Sequence, residues 1–118
     1  MLPEDRVRLL HMIEATETAS RFLSGRTRDD LDSDRMLLLA LVRTIEILGE
    51  AASKVSAETR AKANDIPWSL MVSMRNRLIH AYFDIDHQVV WKTVIEELPQ
   101  LLPKLRVLVQ EPGTLGDV

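Results

Sequence analysis

The fold is decided by residues 34–55, which read DRMLLLALVRTIEILGEAASKV. Apolar residues recur in this stretch at steps of three and four, the period of an α-helix that buries one face. The members of this apolar stripe are Leu38, Leu41, Ile45, Leu48, Ala52 and Val55. Further apolar residues widen it, so we expect burial on more than one face, by other helices or by a second subunit. Asp32 or Ser33 is expected to cap the helix, and Gly49 inside it predicts the close approach of another helix.

Further helices are predicted on both sides of this segment. The first runs from Pro3 to about Leu23 and is followed by Gly25, a residue typical of helix C-termini. Its stripe is Leu9, Ile13, Thr16, Ser20 and Leu23. The polar residues 26–32 are interpreted as a loop. On the other side, Ser56 is expected to cap a short helix before residue 64.

Two more long helices follow. One is predicted over residues 67–81, and the last begins behind an aspartate cap, at Asp84 or Asp86. The apolar stripe of the last helix is Val90, Val94, Leu98, Leu101, Leu105 and Leu108. It continues through Pro99 and Pro103, so we expect a bend there instead of an end. The sequence therefore predicts an all-α protein, an antiparallel bundle of four to five helices.

Length and composition limit the class of protein. The chain has 118 residues, of which 46% are apolar, and it contains no cysteine. We expect one domain over residues 1–110 and a flexible tail over residues 111–118. The lack of cysteine excludes a disulfide scaffold and thiolate zinc sites, and it fits a cytoplasmic protein. No apolar run is long enough to cross a membrane. The three histidines show no ligand spacing, so no metal and no cofactor are expected.

Charge is distributed unevenly along the chain. The formal net charge of −3 argues against a protein that coats nucleic acid or binds DNA through bulk charge. Residues 66–83, however, contain no acidic residue but include Arg75 and Arg77, so this window carries +2 and the remainder −5. A small basic patch on an otherwise acidic protein is suited to binding one or two phosphate groups.

The helix predicted over residues 67–81 carries the candidate chemistry. Its polar stripe is Ser69, Ser73, Asn76 and His80, and its apolar stripe is Met71, Met74 and Leu78, extending to Tyr82. The imidazole of His80 can move a proton near neutral pH, and the guanidinium of Arg75 can bind a phosphate. Together they suit phosphodiester cleavage in which the RNA 2′-hydroxyl is the nucleophile. The alternative is structural: both side chains could cap carbonyls at the helix end or pair with Asp84 and Asp86.

This segment resembles a known family. The pattern consists of Ile66-Pro67-Trp68, then Met74-Arg75-Asn76-Arg77-Leu78-Ile79-His80-Ala81-Tyr82, then Ile85-Asp86 and Val90-Trp91. It is similar to the HepT-like branch of the HEPN superfamily, and the upstream Ile47-Leu48-Gly49-Glu50-Ala51-Ala52 is similar to that family's second helix. The resemblance spans roughly residues 6–109. Its specific part is the arrangement Arg-x-x-x-x-His-x-Tyr at Arg75, His80 and Tyr82.

The resemblance implies an all-helical, two-fold homodimer whose motifs from both subunits line one cleft. It implies a metal-independent endoribonuclease that acts as a toxin, with a cognate minimal nucleotidyltransferase as antitoxin and RNA as substrate. Arg75 and His80 would then be catalytic, and Asn76 would support them. Tyr82 would be the residue to which the partner transfers AMP.

Two further points stay open at the level of sequence. Glu46 and Glu50 lie one helical turn apart, and they could either orient Arg75 or form an ordinary solvent-exposed carboxylate pair. The whole protein could also be a non-catalytic module that docks a nucleotidyltransferase or a nucleotide, or a structural dimerisation domain.

Overall fold

The computed structural model describes residues 1–111, and in this part of the chain the fold is all helical without a strand. The helices are α1 (Pro3–Leu23), α2 (Asp30–Ser33), α3 (Arg35–Lys54), α4 (Ala57–Ala61), α5 (Trp68–His80), α6 (His87–Lys92) and α7 (Leu98–Val109). A π-helical segment, Thr93–Glu97, joins α6 directly to α7. The predicted all-α class is confirmed. The tail expected at residues 111–118 lies outside the described residues from 112 onward.

Helix α3 is the centre of the bundle and packs against both α1 and α5. All six residues of its predicted stripe are buried. Leu37 and Val42 are buried as well, whereas Met36, Leu39 and Ile47 remain exposed on a third strip. The expectation of burial on more than one face is therefore confirmed, because two neighbouring helices cover α3.

The segment before α3 differs from the prediction. The α3 N-cap is Asp34, whose carboxylate accepts a hydrogen bond from the backbone N–H of Leu37 at 3.1 Å, so neither Asp32 nor Ser33 is the cap. Both belong to α2, a single turn within the segment expected to be a loop. Leu31 is 1% exposed, and its burial against the core explains why this polar stretch is ordered.

Other helix ends follow the predicted signals. Gly25, directly after the α1 C-cap, has φ +75°, a left-handed conformation that costs glycine little. The side chain of Ser56 accepts from the N–H of Thr59 and caps α4. The side chain of Asp86 accepts from the N–H of Val89 and caps α6, so Asp86 and not Asp84 is the cap.

The last long helix continues through both prolines instead of ending there, as predicted, and the bend expected at this point stays a prediction. Every member of its apolar stripe is buried. The π-helical segment runs up to Leu98, whose backbone N–H donates to the carbonyl of Thr93, and Pro99, which has no N–H to donate, follows directly at the start of α7. The chain thus accommodates Pro99 by changing its hydrogen-bond pattern while the apolar face stays on the core.

Helix α1 buries a different set of residues from the predicted stripe. Ser20 is exposed and Ile13 half-buried, while Met12, Ala15 and Ala19 are buried in their place. The spacing of the predicted stripe is helical, but α3 and α7 cover a face of α1 that is rotated slightly from it.

Asp5 of α1 is also buried, at 2% exposure. It accepts hydrogen bonds from the backbone N–H of Ser56 at 2.9 Å and from the hydroxyls of Ser56 and Thr59, both at 2.6 Å. This buried carboxylate connects the start of α1 to the end of α3 and to α4. These segments lie at the same end of the bundle because α1 and α3 run antiparallel.

No helix among the described residues combines the length and the apolar content needed to span a bilayer.

Candidate active site

The exposed face of α5 forms one side of an open groove of about 640 Å³. Trp68, Met71 and Leu78 are buried on the opposite face of the helix, which fixes its rotation. The predicted polar stripe is therefore on the solvent side, and all four of its members line the groove: Ser69, Ser73, Asn76 and His80.

The remaining polar walls of the groove come from three helices. Ser53 belongs to α3, Arg60 to α4 and Arg77 to α5. Two guanidinium groups and several hydroxyls thus face the groove, and none of the described residues that line it is acidic. The chain as a whole carries 18 acidic against 15 basic residues. The groove is therefore a local basic surface on an acidic protein, which favours an anionic ligand.

Arg75 lies beside this groove, at the contact between α3 and α5. Its Nη2 is paired with the Glu50 carboxylate, and its Nη1 donates to Asn76 Oδ1 at 2.8 Å. These two bonds use two of the five N–H donors of the guanidinium and hold it in one orientation. Asn76 lines the groove directly, so it connects the Arg75 guanidinium to the surface that contains His80.

The two carboxylates of α3 have different neighbours. Glu50 binds Arg75 and lies 3.8 Å from the Lys54 ammonium, whereas Glu46 lies 3.7 Å from Arg43 on its own helix. Among residues 1–111, only Glu50 reaches the motif helix. Glu46 is thus part of a partly exposed i,i+3 ion pair and does not orient Arg75.

His80 is the last residue of α5 and is exposed at one end of the groove. Its ring has no hydrogen-bond partner among the described residues. Within one chain Arg75 and His80 do not touch, because five residues separate them by about 140° around the helix. Asn76 points between them, about 40° from the direction of His80 and about 100° from that of Arg75.

Tyr82 lies beyond the helix and does not extend its apolar stripe. It is 73% exposed in the turn after α5, and its ring packs edge-to-face with Phe83 at a centroid distance of 5.6 Å. The physical reason is that α5 ends at His80, so the helical period no longer applies at position 82. The phenolic hydroxyl is consequently accessible to solvent.

The structural alternative for the motif is not the arrangement observed. Asp86 caps α6, and within residues 1–111 neither Asp84 nor Asp86 pairs with Arg75 or His80. The carboxylate that neutralises Arg75 comes instead from a helix 25 residues upstream.

Comparison with known proteins places the chain in a family. Residues 12–108 match the family model described as "Ribonuclease HepT-like". The chain is 38% identical over 95 residues to "Probable ribonuclease HepT" of Thermococcus cleftensis, which covers 80% of this chain and 86% of the relative. It is 32% identical over 103 residues to "Putative RNase TTE0752" of Caldanaerobacter subterraneus subsp. tengcongensis, covering 87% and 92% respectively. It is 31% identical over 100 residues to "Putative RNase MJ1380" of Methanocaldococcus jannaschii, covering 85% and 92%.

No solved structure matches the chain. The family match extends over most of the chain and includes the whole of α5 with its groove. The chain therefore belongs to the ribonuclease HepT-like family of the HEPN superfamily.

Proposed function

We propose that this protein is a metal-independent endoribonuclease whose active site is formed by Arg75 and His80. The single observation that carries the proposal is the groove along α5. There His80 and Asn76 face solvent on a surface to which none of residues 1–111 contributes a carboxylate, and Asn76 holds the Arg75 guanidinium beside it. The relatives named as ribonucleases support the same conclusion.

The proposed reaction is an internal transesterification of RNA. A base removes the proton of the ribose 2′-hydroxyl, and the 2′-oxygen then forms a bond to the adjacent phosphorus. The bond from phosphorus to the 5′-oxygen breaks, and an acid donates a proton to that leaving oxygen. The products are a 2′,3′-cyclic phosphate and a free 5′-hydroxyl. The substrate supplies the nucleophile, so the protein needs to provide only proton transfer and charge stabilisation.

The two side chains have separate roles in this reaction. The imidazole of His80 acts as the acid or the base, since histidine is the side chain that most often transfers protons in general acid–base catalysis. The guanidinium of Arg75 keeps three N–H donors after its bonds to Glu50 and Asn76, and these can stabilise the charge that builds on the phosphate oxygens. Glu50 and Asn76 position Arg75.

A homodimer would complete this site. One imidazole in one protonation state serves one of the two proton transfers, and a second His80 from a two-fold partner would serve the other. The exposed apolar strip on α3 supports such an association, because a monomer would leave it in water.

The decisive experiment is cleavage of purified RNA by the parent protein and by His80→Ala and Arg75→Ala. Both variants should retain the fold, since His80 is exposed and Arg75 lies at a partly exposed contact, and each should lose cleavage by about 10²-fold or more. The parent should work in the presence of EDTA and leave a 2′,3′-cyclic phosphate. A substrate with 2′-deoxyribose at the cleaved position should stay intact. A His80→Ala protein that cleaves as fast as the parent would refute the assignment.

The biological setting that we propose is a toxin–antitoxin pair in the cytoplasm, with a minimal nucleotidyltransferase as the antitoxin. The exposure of Tyr82, two residues after His80, supports its role as the AMP acceptor, because its side chain is open to a partner enzyme. Expression without the partner should arrest growth. Harmless expression, together with intact RNA in the cleavage assay, would favour a non-catalytic module that docks the nucleotidyltransferase or a nucleotide.

A further inference from the structure

The groove on α5 extends well past the residues assigned to cleavage. From His80 it follows the helix back to Ser69, eleven residues away, which corresponds to about 16 Å along the helix axis. The phosphates of a helical strand are about 3.4 Å apart along its axis, so this length exceeds what one linkage occupies. The end remote from His80 is formed by Arg60 of α4.

Arg60 is held rigidly at that end. Its Nε donates to the carbonyl of Val55 at 3.1 Å, and its Nη2 donates to the carbonyl of Ala52 at 2.8 Å. Its guanidinium also lies over the ring of Trp68, 5.8 Å from the ring centroid. Trp68 is itself buried and donates from its indole N–H to the carbonyl of Ala63 at 3.1 Å. The cation is thus oriented before any ligand binds, which lowers the entropy lost on binding.

The fixed guanidinium still has donors to offer. Two of its five N–H groups are used by the carbonyls, and the other three have no acceptor among the described residues. Between Arg60 and the cleavage end, the hydroxyls of Ser69 and Ser73 face the groove, also without partners within residues 1–111. Arg77 adds a second cation nearer to His80. Both cations and both hydroxyls are suited to phosphate oxygens.

We infer that the groove from Ser73 to Arg60 binds the phosphates of the nucleotides that flank the cleaved linkage, with Arg60 as the anchoring cation. This inference rests on the proposed function, which assigns cleavage to the His80 end of the same groove. If the inference holds, the preferred substrate is a single RNA strand that continues several nucleotides to one side of the cleaved position. A dinucleotide contains too few phosphates to reach Arg60.

The direct substitution Arg60→Gln is ambiguous, because it also removes two bonds to the end of α3. Ser69→Asp avoids this difficulty. Ser69 lies in the first turn of α5, where a carboxylate interacts favourably with the helix dipole, and its hydroxyl has no partner in the described part of the chain. The added negative charge opposes phosphate in the groove. Ser20→Asp is the matched control, because Ser20 is exposed on α1 and the substitution changes the net charge equally.

The test measures binding of fluorescent single-stranded RNA oligonucleotides of increasing length by anisotropy, with both substitutions placed in a His80→Ala background to prevent cleavage. Ser69→Asp should weaken binding of the long oligonucleotide about tenfold, the equivalent of one hydrogen bond to a charged group. The slope of log K against log salt should become shallower by about 0.7 for each phosphate that the variant no longer binds. The shortest oligonucleotide should be unaffected, and Ser20→Asp should bind as the background does.

The outcomes separate this inference from the proposed function. If the parent cleaves RNA and Ser69→Asp binds every length like the control, the inference is overturned while the ribonuclease assignment remains. If RNA is never cleaved but Ser69→Asp still weakens binding of long oligonucleotides, the groove is confirmed and the assignment of cleavage fails. If Ser69→Asp changes the sedimentation of the protein, the groove is a contact between copies of this chain, and the inference is wrong.

Discussion

Gly49 of α3 lies directly against Arg75 of α5, with no room between them for a side chain. A Cβ built on Gly49 would overlap the Cβ of Arg75 and would lie 2.7 Å from the carbonyl oxygen of Met71. The sequence-based expectation that Gly49 permits the close approach of another helix is therefore confirmed. The same absence of a side chain brings the backbone of the motif helix near enough to α3 for Glu50 to reach the Arg75 guanidinium.

Gly49→Ala should destabilise the protein by about 1–3 kcal/mol, because the new methyl group meets backbone that cannot give way. The sign of this change in stability is informative, since alanine is otherwise favoured over glycine in a helix by up to about 1 kcal/mol. Urea unfolding measures the difference. Ser20→Ala, at an exposed position of α1, should stay within about 0.5 kcal/mol. A more stable Gly49→Ala protein would show that α3 and α5 do not approach each other this closely.

Glu50→Gln should lower RNA cleavage by about tenfold or more while the fold is retained, because the guanidinium of Arg75 loses the charge that orients it. The rate constant kcat should fall more than KM rises if Glu50 acts only by positioning Arg75. Glu46→Gln is the matched control one turn away, since Glu46 pairs only with Arg43 among residues 1–111. Equal losses in the two variants would contradict a specific role for Glu50.

Asp5→Asn should destabilise the fold by about 1–3 kcal/mol at neutral pH, because the buried carboxylate accepts three hydrogen bonds. Burial raises the pKa of Asp5, but the hydrogen bonds from Ser56 and Thr59 together lower it by more, so the pKa lies below its ordinary value. A carboxylate whose pKa is lower in the folded state stabilises the fold at pH values above its unfolded pKa of about 4. This stabilisation is lost as the pH falls from there through the folded-state pKa.

The stability gap between the parent and Asp5→Asn should therefore be constant from about pH 7 to pH 5 and should shrink below about pH 4. Thermal unfolding followed across this pH range measures it. Glu4→Gln, which alters an exposed carboxylate in the same turn, should show a much smaller gap. A gap that is equally large at low and neutral pH would mean that the ionised carboxylate is not its source.

Tyr82→Phe should prevent modification by the proposed nucleotidyltransferase partner. Tyr82 is the chain's single tyrosine, so a mass increase by whole AMP residues in the co-expressed protein should map to it and disappear in the variant. Folding should not change, because the ring is largely exposed. A mass increase of the same size in Tyr82→Phe would assign the modification to another residue.

The parent protein should sediment as a dimer at micromolar concentration, with the exposed apolar strip of α3 at the contact. Leu39→Lys should shift it toward monomer, since a charge would enter an apolar interface. Val107→Lys is the control, because Val107 is 73% exposed on α7, outside this strip. A parent protein that sediments as a clean monomer would contradict the proposed two-fold assembly.

The amino-acid sequence by itself determined the helices and the chemistry of one face. Apolar periodicity located the four long helices, and the cap at Ser56 and an aspartate cap at position 84 or 86 were visible because capping depends on neighbours three residues away. The polar stripe of α5 was predicted for the same reason. These relationships join residues three or four positions apart, so the helical repeat sets them independently of the tertiary structure.

Only the tertiary structure decided which polar groups meet. Glu46 and Glu50 are equivalent by spacing, but α5 contacts α3 at the level of Gly49, so Glu50 alone reaches Arg75. Asp5 finds its partners 51 and 54 residues away, and Arg60 closes a groove whose other wall is on α5. The physical reason is that periodicity reports the direction of a side chain relative to its own helix, whereas helix packing sets the level and the angle at which two helices meet.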